Sequence, residues 1–409
     1  MTTPLEGIRV LDFTRQMAGP YATVFLSDYG ADVIKVESVP NGDGSRTTGV
    51  SRVGDQSGLF LMWNRGKRSL ALDMRSPEAL AAVHRLAREV DIVIENYRPG
   101  VADDIGIGYD ELSALNPGLI YVSVSAFGEG ILGPYPGTDP VVEAMSGVMS
   151  VTGEPDGGPN LVGVPMADFT GAMIASQAVL LGLLARQKTG KGQKIDVSML
   201  YGMLSSLTTR LATYWSTGEE QTRHGSAHSV VAPYQAFQTS DGYAVAGVWG
   251  AGDGWRLFCE AIDMPELAHD ERYLTNEQRV AARKELTSML KEVFLGRTTA
   301  EWQEAFNKHR ALFGPVHTIG EALAHPHVVD AGLVQTVQHP TAGEIPQLGP
   351  VIFLRETPGR IAGPPPLLGQ HTREVLEELG YDTAEIDDLV ESGKAGTPES
   401  LGAAATAAP

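Results

Sequence analysis

Asp168 is the residue in this chain whose setting most invites chemistry. It stands in Gly163-Val-Pro-Met-Ala-Asp168-Phe-Thr-Gly171, at the mouth of an almost wholly apolar run that reads as a helix. A carboxylate there has two uses. It can cap the helix by accepting a bond from a free backbone N–H. No Glu or Gln follows three residues on, where Gly171 stands, so a full capping box is not encoded. It can also act as a nucleophile, a role that calls for desolvation and close positioning. The two uses are compatible, because the positive end of a helix favours an ionised, oriented carboxylate.

A second group is cationic. Arg65, Lys67 and Arg68 in Asn64-Arg-Gly-Lys-Arg-Ser69, with Arg75 and Arg98 nearby in sequence, form the main basic island. Such a run is either a solvated loop or a phosphate-capturing set, since guanidinium forks pair with phosphate oxygens. Other chemistries are not encoded. The segment after the first strand is Thr14-Arg-Gln-Met-Ala-Gly-Pro20 rather than G-x-G-x-x-G, so a nicotinamide dinucleotide is not expected. There is no P-loop, no G-x-S-x-G elbow and no H-E-x-x-H. His325-Pro-His327 comes nearest to a metal pair and reads as surface residues on a proline-containing loop.

The elements that must position these groups follow from patterning. Strands are expected at Ile8–Phe13, Ala31–Val36, Leu70–Asp73, Asp91–Glu95, Leu119–Val124 and Gln193–Val197. Helices alternate with them, one over Tyr21–Tyr29 and one to about Glu89 that Ser76 caps and Pro77 opens. This alternation predicts an α/β fold, a parallel sheet with helices on its faces. After Met199 the pattern changes. Pro233–Gln238, a Ser-Asp-Gly turn and Tyr243–Val248 predict a hairpin, and helical stretches at about 276–294 and 299–308 complete a smaller α+β domain. The expected organisation is 1–200 in a large domain, 225–325 in the small one, and 326–392 returning to the large one. Residues 393–409, rich in Ala and Gly, read as a disordered tail.

Composition narrows the class. The 409 residues are 43% hydrophobic and 20% charged, the make-up of a globular protein, and the net charge of −19 argues against nucleic acid or an anionic membrane as partner. The chain reaches a strand by Ile8, so no signal peptide is expected, and the apolar stretch Gly171–Ala185 reads as too short to span a bilayer. Cys259 is the only cysteine, which excludes an internal disulfide and suits a cytoplasmic setting.

Taken together, Ala18-Gly-Pro20, Gly30-Ala-Asp-Val-Ile-Lys-Val-Glu37, Glu95-Asn-Tyr-Arg-Pro-Gly100, Asn116-Pro and the Asp168 block closely resemble the class III CoA-transferases, with the α-methylacyl-CoA racemases as cousins. The resemblance runs from Leu5 to Leu368-Gly-Gln-His-Thr-Arg373. It implies an interlocked homodimer, each chain having a Rossmann-like large domain built from both chain ends. It also implies that Asp168 is the nucleophile that carries the acyl group. The CoA thioester, a substrate and not a prosthetic group, would lie along Met17, Ala18, Leu72, Asp73, Met74, Arg75, Asn96, Tyr97, Arg98, Gly137, Thr138 and Asp139. As CoA is anionic, its site must be a basic island in an acidic whole.

The departures from the family are specific. Met17 replaces a glutamine that contacts the acyl group in formyl-CoA transferases, and Ser38 and Asp104 replace arginines used there for CoA. Thr138 stands where many transferases have Tyr and the racemases have His. Arg223–Ser229 is shorter than the glycine-rich loop that closes over oxalyl groups. The resemblance therefore implies CoA transfer to a carboxylic acid acceptor through an aspartyl anhydride and an aspartyl-CoA thioester, with donor and acceptor open. Racemisation of a 2-methylacyl-CoA, which needs an acid and a base on opposite faces, lacks its histidine here. Binding of a CoA thioester without catalysis is the third reading.

Overall fold

Neighbouring residues in the central strands point to opposite sides, and both sides are apolar. In β1 (Arg9–Asp12), Val10 packs with Val33 of β2 (Asp32–Ser38) and with Ile92 and Ile94 of β6 (Ile92–Glu95). On the other side, Leu11 packs with Ile34 and Val93. A sheet buried on both faces requires helices on both, and it favours parallel strands. The computed structural model, which describes residues 2–250 and 252–407, has that sheet.

The sheet runs β14-β5-β2-β1-β6-β7-β8, where β5 is Arg68–Leu72, β7 is Ile120–Ser125, β8 is Gln193–Ser198 and β14 is Ala395–Gly396. All pairs are parallel except β14 on β5. Counted along the chain, the six parallel strands lie in the order 3-2-1-4-5-6, the doubly wound arrangement, and the direction of winding reverses between β1 and β6. In such sheets the crevice outside the carboxyl ends of those two strands is where ligands bind. Two short pairs accompany the sheet, β3 (Arg52–Val53) with β4 (Gln56–Ser57) and β12 (Val334–His339) with β13 (Gly343–Leu348).

Two expectations change. The tail does not begin at residue 393, because Ala395 and Gly396 pair with Leu72 and Ala71 and Pro398–Ala407 is helical. Small residues let the returning strand lie close to the sheet: a Cβ on Gly396 would meet Val39 at 2.9 Å. The apolar helix is also longer than its apolar stretch, running Met166–Thr189, 24 residues and long enough by length and composition to cross a bilayer. It is a core helix instead. Ala172, Ala175, Val179 and Gly182 are buried in the same cluster or against the sheet, on Ile120 and Ile195.

The chain divides into two units. One holds the stretches up to Val148, Leu161–Leu211 and from His327 on; the other holds Met149–Asn160 and Ala212–Pro326. Met149–Asn160 therefore leaves the large unit in which sequence placed it. It is tied to the small one by Gly225 N–H donating to the Gly153 carbonyl (2.9 Å) and Arg223 donating to the Gly157 carbonyl (2.8 Å). The small unit's sheet is three-stranded, β9 (Tyr234–Gln238), β10 (Tyr243–Gly247) and β11 (Leu312–Pro315), the last unforeseen from sequence. Its core is aromatic, with Phe237, Phe258, Phe294, Trp302 and Phe306 all buried.

Candidate active site

The long helix opens without a cap of its own. Its N-cap position is Pro165, which makes no side-chain cap, and Asp168 is the third helical residue rather than the cap. The cap comes from Asp139, whose Oδ1 accepts from the N–H groups of Ala167 (2.7 Å) and Asp168 (3.2 Å). Asp139 begins the helix Asp139–Met145, and four residues on, one turn along the same face, Glu143 is buried with Oε2 accepting from Val162 N–H (2.9 Å). Two carboxylates of one short helix thus fix the segment that delivers Asp168. Thr138 is the N-cap of that helix, without a side-chain cap bond. Gly137 before it is pressed against Ala126, where a Cβ would sit 2.3 Å from the alanine's own.

Asp168 itself is half-buried, and its carboxylate makes no hydrogen bond among the described residues. Burial pushes its pKa up, and the Asp139 charge adds to that, to about 6. The helix end therefore does not hold this carboxyl in the ordinary carboxylate range. The cap that orders the helix also brings a second negative charge beside it.

Asp168 starts beside the first loop. The helix Ala18–Asp28 lies along Met166–Thr189, with Gly171 opposite Ala18 and the Ser176 hydroxyl 3.5 Å from the Ala22 carbonyl. The two helices run the same way, so both begin at the end where Thr14–Met17 leaves β1. That loop is held by a buried ionic network. Asp12 lies 3.1 Å from Lys67, Lys35 lies 2.9 Å from Asp43, and Lys35 Nζ also donates to the Thr14 carbonyl (2.6 Å). Asp43 accepts from Gln16 N–H (3.1 Å) and holds Gln16 at φ 62, the left-handed region. Burial alone would raise Asp12, but Lys67, Lys35 and the Thr14 and Thr23 hydroxyls outweigh it and hold its pKa at about 2.

Three of the four segments assigned to the CoA thioester lie at strand carboxyl ends; the fourth, Gly137–Asp139, opens the helix that caps Asp168's. Met17 and Ala18 follow β1, Leu72 to Arg75 end β5, and Asn96 to Arg98 follow β6. Asn96 bridges two of them, accepting from Arg15 N–H (2.7 Å) and donating to the Arg15 carbonyl (2.8 Å). Leu72 is fully buried and Met17 and Ala18 nearly so, which leaves backbone as what Leu72 can offer. Met74 packs on the sheet face that holds Leu11, Ile34 and Val93, and Asp73 holds Arg75 in a two-pronged pair (2.8 and 3.1 Å).

The centre of the basic island, Arg65, Lys67 and Arg68, is not available for phosphate. Arg65 is buried against Asp28 (2.6 Å), Lys67 against Asp12, and Arg68 is shared among Asp32, Glu374 and Glu378. These partners lie 36 to 310 residues away, so no local reading could find them. Among the described residues, the cations at the crevice with no carboxylate partner are Arg98, expected, and Arg15, unforeseen because it stands alone in its loop. No group of three His, Cys, Asp or Glu residues that could hold a metal occurs among the described residues, and the His325 ring lies 5.7 Å from that of His317.

Residues 5–372 match the family described as CoA-transferase family III. The chain is 40% identical over 392 residues to the succinyl-CoA:glutarate CoA-transferase of Mus musculus, covering 95% of this chain and 90% of that one. It is 37% identical to the succinate--glutarate CoA-transferase of Agrobacterium fabrum, covering 92% and 96%. Among solved structures, a CAIB/BAIF family protein from Brucella suis superposes with a TM-score of 0.82 at 36% identity, covering 93% of this chain and all of that one.

Proposed function

This chain belongs to CoA-transferase family III, and from that premise we propose that Asp168 carries the group it transfers. The chain moves CoA between carboxylic acids and needs a CoA thioester as substrate. In the proposed path, the Asp168 carboxylate attacks the thioester carbonyl and the C–S bond breaks, giving an aspartyl anhydride and CoA thiolate. The thiolate attacks the aspartyl carbonyl, releases the donor acid and leaves an aspartyl-CoA thioester. The acceptor carboxylate attacks that thioester, and the returning thiolate completes the exchange and frees Asp168. The observation that carries this reading is a half-buried carboxylate with no hydrogen bond of its own among the described residues, on a helix end pinned by Asp139. Desolvation and fixed placement are what a weak oxygen nucleophile requires.

Two of the assigned residues position rather than touch. Asp139 caps, and Asn96 ties the β1 and β6 loops together. The CoA nucleotide and pantetheine would cross the carboxyl ends of β1, β5 and β6. The relatives named for succinyl-CoA and glutarate support short dicarboxylates as donor and acceptor. The reading extends to a homodimer, in which a second copy covers the exposed apolar run Val351, Ile352, Phe353 (69% exposed) and Leu354. It extends also to a cytoplasmic location, which suits one thiol, Cys259, buried and pushed up to about 12 by that burial.

Intact mass after incubation with succinyl-CoA and no acceptor tests the path. A hydroxylamine-sensitive CoA adduct on Asp168, absent in Asp168→Ala, is expected. Turnover of succinyl-CoA and glutarate by Asp168→Ala at the wild-type rate would end the assignment. The pH profile offers a second check. Attack needs the ionised form, so kcat/KM should fall as pH drops through about 6. Asp139→Asn keeps the accepting oxygen but removes the charge, so the midpoint should move to lower pH. An unmoved midpoint in that variant would show that Asp139 does not act on Asp168.

A further inference from the structure

We propose that Arg15 grips a phosphate of the CoA nucleotide at the crevice where β1, β2 and β6 end. This rests on the CoA-transfer reading and adds a residue to it that neither motif nor basic run singles out. Among the described residues, the other cations that reach this end of the sheet, apart from Arg98, are already neutralised by a carboxylate: Lys35, Arg46, Lys67 and Arg75. In a chain of net charge −19, a phosphate has few places to go.

Arg15 is not merely free; it is set in place. Asn96 fixes its backbone from both sides, and the next residue, Gln16, is locked by Asp43. The guanidinium lies over the Tyr97 ring, 5.1 Å from its centroid, and Nη2 donates to the Ser38 hydroxyl (3.0 Å). Tyr97 and the Ser38 hydroxyl orient the fork, while the residue stays exposed. The three residues come from the ends of three neighbouring strands, β1, β2 and β6, so the fork stands over the point where winding reverses. A phosphate takes two parallel N–H bonds from such a fork.

Binding of CoA, dephospho-CoA (which lacks the 3′-phosphate) and pantetheine (which lacks the nucleotide) to the wild-type chain and to Arg15→Ala and Arg15→Lys decides the matter. The expected loss of CoA affinity is roughly 10- to 100-fold in Arg15→Ala. Arg15→Lys, which keeps a charge but not the fork, should be intermediate. Pantetheine should bind wild type and variants alike. If dephospho-CoA is insensitive to the substitution, the 3′-phosphate is the target; if it loses as much as CoA does, the pyrophosphate is. Either result supports the proposal. Equal CoA affinity in wild type and Arg15→Ala overturns it, as does an equal loss for pantetheine. In both cases the covalent adduct on Asp168 would still form and the transfer reading would stand. A wild-type chain that binds no CoA removes both. Because the Arg15 side chain is exposed, the melting temperature of each variant should match the wild type.

Discussion

Asp168→Asn should abolish CoA transfer, by on the order of 10⁴-fold or more, and at the same time make the folded chain more stable near neutral pH. The two effects have one cause. The folded protein raises this carboxyl from 3.8 to about 6, chiefly by burial, so it binds the proton more tightly folded than unfolded. Such a group favours the fold most when protonated, below about pH 4, and that advantage is lost as pH rises through about 6. A shift of that size corresponds to roughly 3 kcal/mol as an upper bound. Asparagine has the same shape and no charge to desolvate. The expected result is a melting temperature a few degrees above wild type at pH 7.5, with the gap narrowing toward pH 5. An Asp168→Asn variant that melts below wild type at pH 7.5 would mean that the ionised carboxylate is stabilised in the resting protein. Asp168 would then be a structural anion, not a held-back nucleophile.

Lys35→Met should be the most destabilising single change in the large unit, at about 3–5 kcal/mol. Lys35 is fully buried, and burial alone would lower its pKa. Asp43, Asp12 and Glu37 outweigh that and raise it, so it stays charged. Methionine fills the volume but leaves Asp43 and Asp12 with less compensating charge, and breaking a buried pair costs more than the pair contributes. Urea or thermal unfolding measures the loss. The same substitution frees the Thr14 carbonyl, so CoA affinity should fall beyond what the lowered stability explains. A double variant, Lys35→Met with Asp43→Asn, removes one cation and one anion and should recover part of the stability. No recovery would show that the network does not act as a charge-balanced set.

How much of this was legible in the residues differs by kind of interaction. Elements governed by neighbours in sequence were readable. The strands of the parallel sheet fall where apolar runs place them, and Ser76 caps its helix as its position before Pro77 suggests, accepting from Ala79 N–H at 3.4 Å. The family was readable from motif strings spread along the chain. Interactions across long separations were not. The cap of the Asp168 helix comes from 29 positions upstream, and the carboxylates that consume Arg65 and Arg68 come from elements with no sequence relation to them. A run of arginines carries no mark of whether its charges are spent. Conversely, the lone Arg15 gave no local signal. Its significance depends on strand order, which places the residue after the first strand beside the residue after the fourth.

The C-terminal return of the chain bears on how this protein avoids sticking to itself. Without β14, the outer edge of strand β5 at Ala71 and Leu72 would lie at the margin of the sheet, a template on which another chain's strand could add. Two residues, Ala395 and Gly396, and the bond from Asp73 N–H to the Lys394 carbonyl (2.8 Å) blunt that margin. The patch is small, but it adjoins Leu72–Arg75, so the stretch that guards solubility also borders the segment proposed to meet the CoA thioester. A purification tag belongs beyond Gly402 or at the other terminus. Trimming the chain before Lys394 would trade a few residues for an adhesive rim.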